Sequence, residues 1–474
     1  MNRHLKSSSG ILPLYSKPVP DDLSMQHSPQ YQQTVNYLYE QLPMFTRIGA
    51  AAFKKDLVNT EKLCDMLHNP QQKFKSIHVA GTNGKGSVSH MLAAIFQAAG
   101  YKTGLYTSPH LIDFRERIRI DGEPVSQQWV VDFVAGHKEQ IEEIEPSFFE
   151  ITVAMAFQAF AEAEVDIAII ETGMGGRLDS TNVITPILSV ITNIGYDHMD
   201  FLGNTLAEIA GEKAGIIKQG VPVVIGEQHP ETERVFFEHS VHKQSVLYFA
   251  ESMWDMVRTQ ASLQYQGFKT IHRARREMHD VSTDLLGNYQ AANIKTVLAA
   301  REVLLSTGMA DLPLDVTLSA LSRVKKLTGL RGRWDVLQNE PLIIADVAHN
   351  AAGLANAMQQ WGSIKATTRH IVTGFVKDKD INAALALYPK DAVYYFCNAD
   401  IPRALPAAKL QEAAAEFSLQ GNAYNSVADA VQAAKATITK DDALLITGSV
   451  FIVGEAISYL NVNNGLLFPE NLMV

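Results

Sequence analysis

The sequence predicts an α/β fold with two unequal domains and a mostly parallel sheet. Short apolar runs alternate with helical patterns along most of the chain, which is typical of parallel strands joined by covering helices. The alternation begins at Ser76–Ala80 and begins again, after an interruption, at Trp334. Gly329 and Gly332 break the pattern within Lys326–Arg333, so we expect the domain boundary there.

The first domain is expected to contain several short apolar strands. The predicted strands are Ser76–Ala80, Thr103–Thr107, Asp166–Ile170, Leu188–Thr192 and Val221–Ile225. After the first strand, apolar residues recur at helical spacing between Val88 and Ala99, and Gly100 is placed to end that helix. The other expected helices lie near Phe149–Ala161 and Leu206–Lys218. Thr205 and Glu208 form a capping-box pattern at the start of the latter.

The remainder of the chain divides into a polar stretch and a second α/β series. Residues 227–280 are polar and irregular, so we expect them to leave the main sheet. A helix is predicted after Asn288. The predicted strands of the second domain are Trp334–Leu337, Leu342–Ala345, His370–Thr373, Val393–Cys397 and Leu444–Thr447. Its predicted helices lie near Ile381–Leu387, Pro406–Phe417 and Val427–Thr437.

Composition excludes several classes of protein. The 474 residues are 46% hydrophobic, which indicates a globular chain, and 41 basic against 51 acidic residues give a formal charge of −10. Nonspecific binding to nucleic acids or anionic membranes requires a positive surface, so we expect neither. Cys64 and Cys397 lie far apart, which fits a reducing compartment. No apolar run reaches the roughly 20 residues of a membrane span, and Ile11–Tyr15 is too short for a signal sequence. We therefore expect a cytoplasmic protein.

A glycine-rich segment, Gly81-Thr82-Asn83-Gly84-Lys85-Gly86-Ser87, lies between the first strand and its helix. Backbone N–H groups and a helix N-terminus favour phosphate at such a place, and Lys85 can neutralise β- and γ-phosphate oxygens. The segment departs from a strict Walker A pattern, because Val79 stands where the first glycine falls and Gly86 follows the lysine. The metal-binding hydroxyl is therefore Ser87 or one from elsewhere. A glycine turn without a ligand is the alternative, which the flanking strand and helix disfavour.

Metal-binding donors follow three of the predicted strands, at the edge where open α/β sheets bind ligands. Glu171 comes directly after an apolar run and is the leading candidate for a Mg²⁺ ligand, because Mg²⁺ prefers oxygen donors. Ser108 and His198 follow two other strands. Histidine is an unusual magnesium ligand, so the alternative for His198 is a hydrogen-bonded histidine at a strand end.

Several basic residues are ambiguous from sequence alone. Arg177 lies in a second glycine-rich turn, where it either grips a carboxylate with two hydrogen bonds or is solvated. Arg115, Arg117 and Arg119 alternate and are expected on one face of a strand, either solvated or guiding an anion. Lys213 is by default a surface lysine on an amphipathic helix.

Seven motifs occur in the order HVAGTNGKGS, YTSPHL, ETGMGGRLDSTN, NIGYDHMDFLG, EKAGIIK, GRW and DVAHNAAG. In these motifs the chain resembles the folylpolyglutamate synthase/dihydrofolate synthase family, within the wider group of Mur-type amide ligases. The resemblance extends from about Tyr37 to Glu455. It implies a large N-terminal P-loop ATPase-like domain with a mostly parallel sheet and a smaller C-terminal Rossmann-like α/β domain. We assign residues 1–35 to a flexible extension, 36–328 to the first domain and 329–474 to the second.

The resemblance also implies a site for ATP and Mg²⁺, with two metal positions. It assigns Gly81 through Ser87 to the ATP phosphate loop. The residues implied to hold the nucleotide from the second domain are Asn293, Arg333 and Asp346. The implied metal ligands are Ser108, Glu171 and His198. The implied catalytic residues are Lys85, Lys213, which matches a lysine carboxylated by CO₂, and His349, close to the transferred phosphate.

The substrates follow from the same resemblance. The residues that match the pterin-side pocket of dihydrofolate-synthesising members are Phe149, Glu150, Arg177, Leu178 and Asp179. In the implied reaction ATP phosphorylates a carboxylate of the folate precursor, and the α-amine of L-glutamate displaces the phosphate. The acceptor is dihydropteroate or the glutamate tail of a reduced folate. The pterin-side match favours a bifunctional enzyme over a monofunctional folylpolyglutamate synthase, and family precedent implies a monomer.

Four other interpretations fit the sequence less well. A Mur ligase for UDP-linked muramyl peptides carries an N-terminal UDP-binding domain, and the segment before Ser76 leaves little room for one. A P-loop GTPase requires an Asn-Lys-x-Asp signature, which the sequence lacks, and has no use for the second domain. A protein kinase requires catalytic-loop motifs that are missing. A noncatalytic family member is disfavoured because every position expected to hold ATP or metal is chemically intact.

Overall fold

The computed structural model describes residues 27–42, 56–377 and 381–463, and their strands form three sheets. The first sheet comprises β1 (Lys75–Ala80), β2 (Thr103–Tyr106), β3 (Ile118–Ile120), β4 (Glu123–Pro124), β5 (Ile167–Glu171), β6 (Leu188–Ile191), β7 (Val223–Ile225) and β8 (Leu247–Phe249). The strand order is β4-β3-β2-β5-β1-β6-β7-β8. Only the two pairs that include β3 are antiparallel among these described strands, so the predicted mostly parallel sheet is confirmed.

The carboxyl ends of β1, β5 and β6 lie side by side. Val79 on β1 pairs with Glu171 on β5, and Ala80 pairs with Ile191 on β6. These strands are apolar and almost completely buried, because helices cover both faces of the sheet. The loops that follow the three strands therefore begin at one edge of the sheet.

The helices predicted before residue 329 are all present. The helices of this part are α1 (Pro29–Gln41), α2 (Val58–Met66), α3 (Lys85–Ala98), α4 (Gln127–Ile144), α5 (Phe148–Glu162), α6 (Met199–Leu202), α7 (Leu206–Ala214), α8 (Pro230–His242), α9 (Ala250–Met253), α10 (Gln290–Ser306), α11 (Leu314–Leu321) and α12 (Val324–Thr328). Thr205 and Glu208 form the predicted capping box at the start of α7. None of the helices in the described part of the chain is both long enough and apolar enough to cross a membrane.

The prediction that three alternating arginines share a strand face is wrong. Phe114–Arg117 is a 3₁₀ helix, and β3 begins only at Ile118. The cause is Glu116, whose side chain closes a capping box at the start of that helix and also accepts hydrogen bonds from two earlier backbone N–H groups. The arginines therefore have separate partners, which are Asp113 for Arg115, His110 for Arg117 and the Gly122 carbonyl for Arg119.

A small antiparallel sheet follows the first sheet. It contains β9 (Trp254–Ala261), β10 (Gln266–His272) and β11 (Met278–Thr283), with β10 in the middle. The predicted departure over residues 227–280 is therefore partly right, since β8 still belongs to the first sheet and the chain leaves it at β9. Trp254, Phe268 and Val281 anchor the small sheet in the same apolar core as α3 and α10.

The third sheet lies after residue 329 and has mixed strands. Its strands are β12 (Asp335–Asn339), β13 (Leu342–Asp346), β14 (Arg369–Gly374), β15 (Val393–Cys397), β16 (Gln420–Tyr424) and β17 (Ala443–Gly448). The order is β12-β13-β17-β14-β15-β16, and among these strands only β12 is antiparallel to its neighbour. The surrounding helices are α13 (Ala351–Gly362), α14 (Ile381–Leu385), α15 (Ala407–Glu416), α16 (Val427–Thr437) and α17 (Val450–Asn463). Strand β16 and helices α13 and α17 were not predicted from the sequence, and β16 is a polar edge strand without an apolar pattern.

The described part of the chain begins before the predicted end of the N-terminal extension. Ser28 caps α1, Pro29 occupies its first turn, and Tyr31 is buried and donates a hydrogen bond to Asp113. Helix α1 thus includes residues 29–35, which were predicted to belong to the extension, whereas residues 1–26 lie outside the described residues. The predicted boundary at 328/329 falls between α12 and β12, and the division into domains stays a prediction.

Candidate active site

The phosphate loop joins β1 to α3, and two of its glycines have backbone conformations that other residues rarely adopt. Gly81 has a φ of 148° and Gly84 a φ of 85°. A Cβ atom would lie 1.9 Å from Thr192 Oγ1 at Gly81 and 2.3 Å from Asn293 Oδ1 at Gly84. Both positions therefore require glycine, because backbone angle and space each exclude a side chain.

The loop after β6 fixes the shape of the phosphate loop. The Asn83 N–H donates to Asn193 Oδ1 at 2.8 Å, and Thr192 Oγ1 donates to the Asn83 carbonyl at 2.6 Å. Thr82 Oγ1 accepts from the Gly195 N–H at 3.0 Å and donates to the Gly195 carbonyl at 3.1 Å. The phosphate loop is thus held from the neighbouring strand end, in a conformation prepared for a ligand.

Two lysines meet at the start of the phosphate loop. Lys85 Nζ donates to the carbonyls of Gly81 and Thr82 at 3.1 and 3.2 Å. Lys213 Nζ, carried by α7, donates to the same Gly81 carbonyl at 2.9 Å and is buried. Burial and the positive charge of Lys85 lower the pKa of Lys213 to about 7. The default interpretation of Lys213 as a surface lysine is therefore wrong, because α7 packs with this side against the loop.

Glu171, at the end of β5, is a buried carboxylate close to the phosphate loop. Burial raises its pKa to about 7, against the opposing positive charges of Lys85 and Arg333. Its Oε2 accepts from the Ser108 N–H at 3.3 Å, and both carboxylate oxygens lie within 3.8 Å of the Cβ position of Gly86. A cavity of about 50 Å³ is lined by these residues. Glu171 and Ser108 both line this cavity, and a buried carboxylate together with a hydroxyl suits a divalent cation such as Mg²⁺.

His198 lies on the loop after β6, beside Asp197. Its backbone is left-handed, with a φ of 51°, and its Nε2 is 3.9 Å from Asp197 Oδ1. No three His, Cys, Asp or Glu side chains are grouped to hold a metal ion by themselves within residues 27–42, 56–377 and 381–463. A metal ion here would therefore need oxygens from a nucleotide and water in addition to protein groups, as Mg²⁺ usually does. The metal-ligand role of His198 stays a prediction.

Asn293 lies on α10, which belongs to the first domain under the predicted boundary, and not to the second domain as the resemblance suggested. Its side chain faces Gly84, and its Nδ2 donates to Gln290 Oε1 at 2.8 Å. Gln290 Nε2 in turn donates to Ser87 Oγ at 3.2 Å. The start of α10 therefore contacts the middle of the phosphate loop at Gly84 and its end at Ser87, because α10 packs along α3 in the core.

Arg333 and Asp346 come from the segment that leads into the second domain. The Arg333 guanidinium lies 3.7 Å from the Cβ position of Gly86. Asp346, at the end of β13, is buried, and its Oδ2 accepts from the Tyr289 hydroxyl and the Trp334 N–H, each at 2.7 Å. Burial raises the pKa of Asp346, although Tyr289 and Arg333 counteract that effect. Arg333 therefore lies beside the phosphate loop, Asp346 is held by Tyr289 and Trp334, and the nucleotide-binding roles of both stay predictions.

The DVAHN segment reaches the phosphate loop through residues that were not singled out from the sequence. His349 Nε2 lies 3.4 Å from Asp197 Oδ2. Asn350 Nδ2 donates to Asn83 Oδ1 at 2.9 Å and to Asp197 Oδ2 at 3.2 Å. Asp197 and Asn350 are each adjacent to a predicted site histidine within a quoted motif, which was the signal available in the sequence.

Two of the predicted pterin-side residues lie at the start of α5. The Phe149 ring packs on Gly173, where a Cβ would approach within 2.5 Å of Phe149 Cζ. Glu150 is buried, and its Oε2 accepts from the Ser147 N–H at 2.6 Å as part of the capping box of α5. The structure therefore gives Glu150 a role in capping the helix, and its substrate-binding role stays a prediction.

The other pterin-side residues lie on the turn after β5. Asp179 is buried and accepts from the Met174 N–H at 2.8 Å and from the Thr181 hydroxyl at 2.5 Å, so it holds the turn together. Arg177 is half-exposed and paired with Glu212 at 2.8 Å. Leu178 lies between them and is partly buried. The structure brings these residues to one turn near Phe149 but leaves their contacts with a substrate as predictions.

A glycine-rich phosphate loop at the end of a parallel sheet, contacted by a second α/β unit, defines a nucleotide-dependent ligase of the Mur type. Comparison with known families agrees. Residues 79–301 match the Mur ligase middle domain, and residues 332–450 match the Mur ligase glutamate ligase domain.

Individual relatives resemble the chain over nearly its whole length. The dihydrofolate synthase/folylpolyglutamate synthase of Bacillus subtilis is 34% identical over 443 residues, which cover 90% of this chain and 98% of that protein. Escherichia coli FolC in complex with DHPP and ADP has a TM-score of 0.80 at 27% identity, covering 92% of this chain and 99% of the other. The bifunctional folylpolyglutamate synthase/dihydrofolate synthase of Yersinia pestis, complexed with AMPPNP and Mn ion, has a TM-score of 0.76 at 26% identity, covering 92% of this chain and 100% of the other. This chain belongs to the folylpolyglutamate synthase/dihydrofolate synthase family and is an ATP-dependent ligase.

Proposed function

We propose that this chain joins L-glutamate both to dihydropteroate and to the glutamate tail of reduced folates, with ATP as the energy source. The observation that supports this most is the contact of the DVAHN segment with the phosphate loop, where Asn350 bonds to Asn83. With this contact, the adjacent His349 of the proposed second domain would lie beside the loop proposed to bind the nucleotide in the first. Transfer of a phosphoryl group to a carboxylate needs such a two-sided site, because catalysis depends on positioning and charge neutralisation.

The proposed reaction has two steps. A carboxylate oxygen of the folate precursor attacks the γ-phosphorus of ATP, and ADP leaves with the electrons of the broken P–O bond. The α-amine of glutamate then attacks the acyl carbon, phosphate leaves, and the nitrogen loses a proton to give the amide. Negative charge shifts between oxygens in both steps, so fixed cations and N–H donors accelerate them.

The phosphate loop supplies most of these groups. Its backbone N–H groups and the start of α3 would bind the phosphates, and Lys85 would supply a positive charge beside them. Asn293, Arg333 and Asp346 would hold the remainder of the nucleotide. Ser108, Glu171 and His198 would hold Mg²⁺, which when bound neutralises phosphate oxygens. Glu171 suits this role because a bound cation would offset the cost of its buried charge.

Lys213 is proposed to carry a carbamate. The pKa of about 7 leaves a much larger neutral fraction at neutral pH than an ordinary lysine has, and only the neutral amine attacks CO₂. The nitrogen forms a bond to the carbon of CO₂ and releases a proton. The product is an anion beside Lys85, which would replace the repulsion of two cations by an attraction.

The Phe149 ring packs on Gly173, in the same loop after β5 that carries Arg177–Asp179, so these residues would offer aromatic and polar groups to dihydropteroate. A monofunctional folylpolyglutamate synthase is the alternative that a comparison of acceptors would reveal. We also propose a cytoplasmic monomer with domains at 36–328 and 329–474. Cys64 and Cys397 are both buried free thiols, which fits a reducing compartment.

The test measures phosphate release from ATP in the presence of Mg²⁺ and L-glutamate, with either dihydropteroate or tetrahydrofolate as the acceptor. The masses of the products are determined by mass spectrometry. We expect release and a mass gain of one glutamate residue with each acceptor. Activity with tetrahydrofolate alone would establish the monofunctional alternative. A folded protein that releases no phosphate with either acceptor would overturn the proposal.

A further inference from the structure

We propose that Asn350 is a positioning residue that connects the two domains across the phosphate loop and thereby sets the place of His349. This inference rests on the proposed function, because it assumes that His349 acts beside a phosphate bound in that loop. We expect the Asn350 side chain to act through Asn83 and Asp197 and not on the reacting atoms themselves.

The Asn350 amide is shared among three segments of the chain. Its Oδ1 accepts from the Gly353 N–H at 2.9 Å, which caps the start of α13. Its Nδ2 donates to Asn83 Oδ1 at 2.9 Å, in the phosphate loop, and to Asp197 Oδ2 at 3.2 Å, on the loop after β6. Asn83 Nδ2 lies 3.4 Å from Asn350 Oδ1 and closes a reciprocal pair. Asn350 is only 8% exposed, so these bonds are shielded from water.

Helix capping alone does not explain why this residue is asparagine. Aspartate and serine cap helices about as well as asparagine does. Among these three residues, only asparagine offers an oxygen for the helix together with two N–H donors for the acceptors Asn83 and Asp197. An aspartate would keep the cap and place a second carboxylate against Asp197, whereas a serine would keep the cap and have one shorter O–H donor in place of the two N–H donors.

The two consecutive residues His349 and Asn350 converge on one oxygen of the first domain. His349 Nε2 lies 3.4 Å from Asp197 Oδ2, the atom that also accepts from Asn350. Asp197 is held in turn by the His198 N–H, which donates to its Oδ1 at 2.9 Å. The start of α13 is thus docked at two points, and Asn83 links the docking to the conformation of the phosphate loop. A change in the conformation of the phosphate loop would therefore alter the position of His349 through Asn350.

The experiment compares Asn350→Asp, Asn350→Ser and the control Asn356→Asp in the full-length chain. Asn356 lies on the exposed face of the same helix, where its amide donates to the Ala352 carbonyl. We expect both Asn350 variants to fold, because the cap is kept, and Asn350→Asp to have the lower melting temperature, because its carboxylate would lie against Asp197. Their kcat should fall by about 100-fold, the effect expected of a misplacement near 1 Å, with little change in the KM for ATP. Asn356→Asp should behave as the unmodified protein.

Coupling to Asn83 gives a second readout. Asn83→Ser combined with Asn350→Ser should lower kcat no further than the worse single variant, because both remove the same bond. A fully multiplicative loss would show that Asn350 does not act through Asn83 and would overturn the inference. So would a native kcat in both Asn350 variants, or a loss of kcat explained wholly by unfolding.

A third readout is independent of glutamate transfer. Hydrogen exchange of the peptide covering residues 348–356 is measured with and without the ATP analogue AMPPNP and Mg²⁺. We expect the analogue to slow exchange in the unmodified protein and in Asn356→Asp, and not in Asn350→Asp. If the unmodified protein transfers no glutamate but shows this pattern, the proposed function fails and the link stands. If the protein without substitutions transfers glutamate but the analogue changes hydrogen exchange equally in all three proteins, the positioning role of Asn350 is refuted and the proposed function stands.

Discussion

The ionisation of two buried side chains, Lys213 and Glu171, governs how the proposed site responds to pH. Both were indicated by motif position, but their burial was not. Lys213 follows the first turn of a helix with a capping box, and the same pattern describes many surface lysines. The burial of Lys213 depends on how α7 packs against the loop after β1. Such tertiary packing cannot be predicted from the periodicity of apolar residues.

Lys213→Met should lower kcat by about 10- to 100-fold, the usual effect of removing a group that orients a metal site. The control is Lys218→Met, because the Lys218 amine is away from the phosphate loop and donates to the Asn182 carbonyl at 2.8 Å. In ¹³C-bicarbonate, the NMR signal of a carbamate should appear in the parent protein, which carries no substitution, and in Lys218→Met, and should be absent in Lys213→Met. A parent protein that is fully active without a carbamate signal would refute carboxylation.

Glu171 should make the metal-free protein less stable as pH rises. Its folded pKa of about 7 exceeds the ordinary value of 4.5, so the folded state binds more protons between these values. The stabilisation is complete below about pH 4.5 and is lost as pH rises through 7. At about 1.36 kcal/mol per pKa unit, the loss amounts to a few kcal/mol.

Urea unfolding between pH 5 and pH 8, without metal, measures this effect. Glu171→Gln should remove the corresponding part of the pH dependence, whereas Glu139→Gln on the exposed face of α4 should leave it unchanged. A Glu171→Gln variant with an unaltered pH profile would show that Glu171 ionises normally in the fold.

At the scale of elements, strand and helix positions followed well from apolar periodicity, since burial of β1, β5 and β6 produces it directly. Some of the failures, though not the missed helices α13 and α17, have identifiable local causes. Arg115 and Arg117 fell in a 3₁₀ helix because Glu116 caps it, and β16 lacks an apolar face because it lies at a sheet edge. Asn350 was missed for a similar reason, since its partners come from segments far away in sequence.

The two glycines that flank α3 offer a matched test, because only Gly84 belongs to the phosphate loop. Gly84 and Gly100 flank α3 with φ values of 85° and 89°. A Cβ at Gly84 meets Asn293, whereas one at Gly100 meets nothing within 4 Å. Each alanine variant should lose about 1–2 kcal/mol of unfolding free energy from the left-handed backbone, and Gly84→Ala should lose more.

The difference should be largest in nucleotide binding. We expect Gly84→Ala to weaken ADP binding, measured by calorimetry, at least tenfold, or about 1.4 kcal/mol. Gly100→Ala should bind ADP normally. Equal affinity in the two variants would contradict the assignment of this loop to phosphate binding.

On the scale of the whole molecule, the segment at the predicted domain boundary contains a buried ion-pair cluster. Asp335 accepts from Lys325 Nζ at 2.8 Å and from Arg331 Nε at 2.5 Å, and it is only 4% exposed. Burial opposes its ionisation, but Lys325 and Arg331 outweigh burial and keep the pKa of Asp335 below its ordinary value. Neither the burial nor the convergence of these charges is visible in the sequence, although the glycines that mark the segment are.

Asp335→Asn should lower the unfolding free energy by about 3–5 kcal/mol, because it leaves two cations without their buried partner. The control, Asp391→Asn, breaks an exposed pair with Arg369 and should cost less than about 1 kcal/mol. Urea denaturation measures both. Similar losses in the two variants would show that the buried cluster at Asp335 stabilises the fold no more than an exposed ion pair does.

The most direct test of the proposed reaction follows oxygen from the folate carboxylate. Dihydropteroate labelled with ¹⁸O in both carboxylate oxygens is incubated with enzyme, ATP, Mg²⁺ and L-glutamate, and the released phosphate is analysed by mass spectrometry. An acyl-phosphate route transfers one ¹⁸O to each phosphate and leaves one in the amide, and Lys85→Ala should release almost none. Unlabelled phosphate accompanying amide formation would contradict phosphorylation of the carboxylate and, with it, the proposed roles of the phosphate loop and His349.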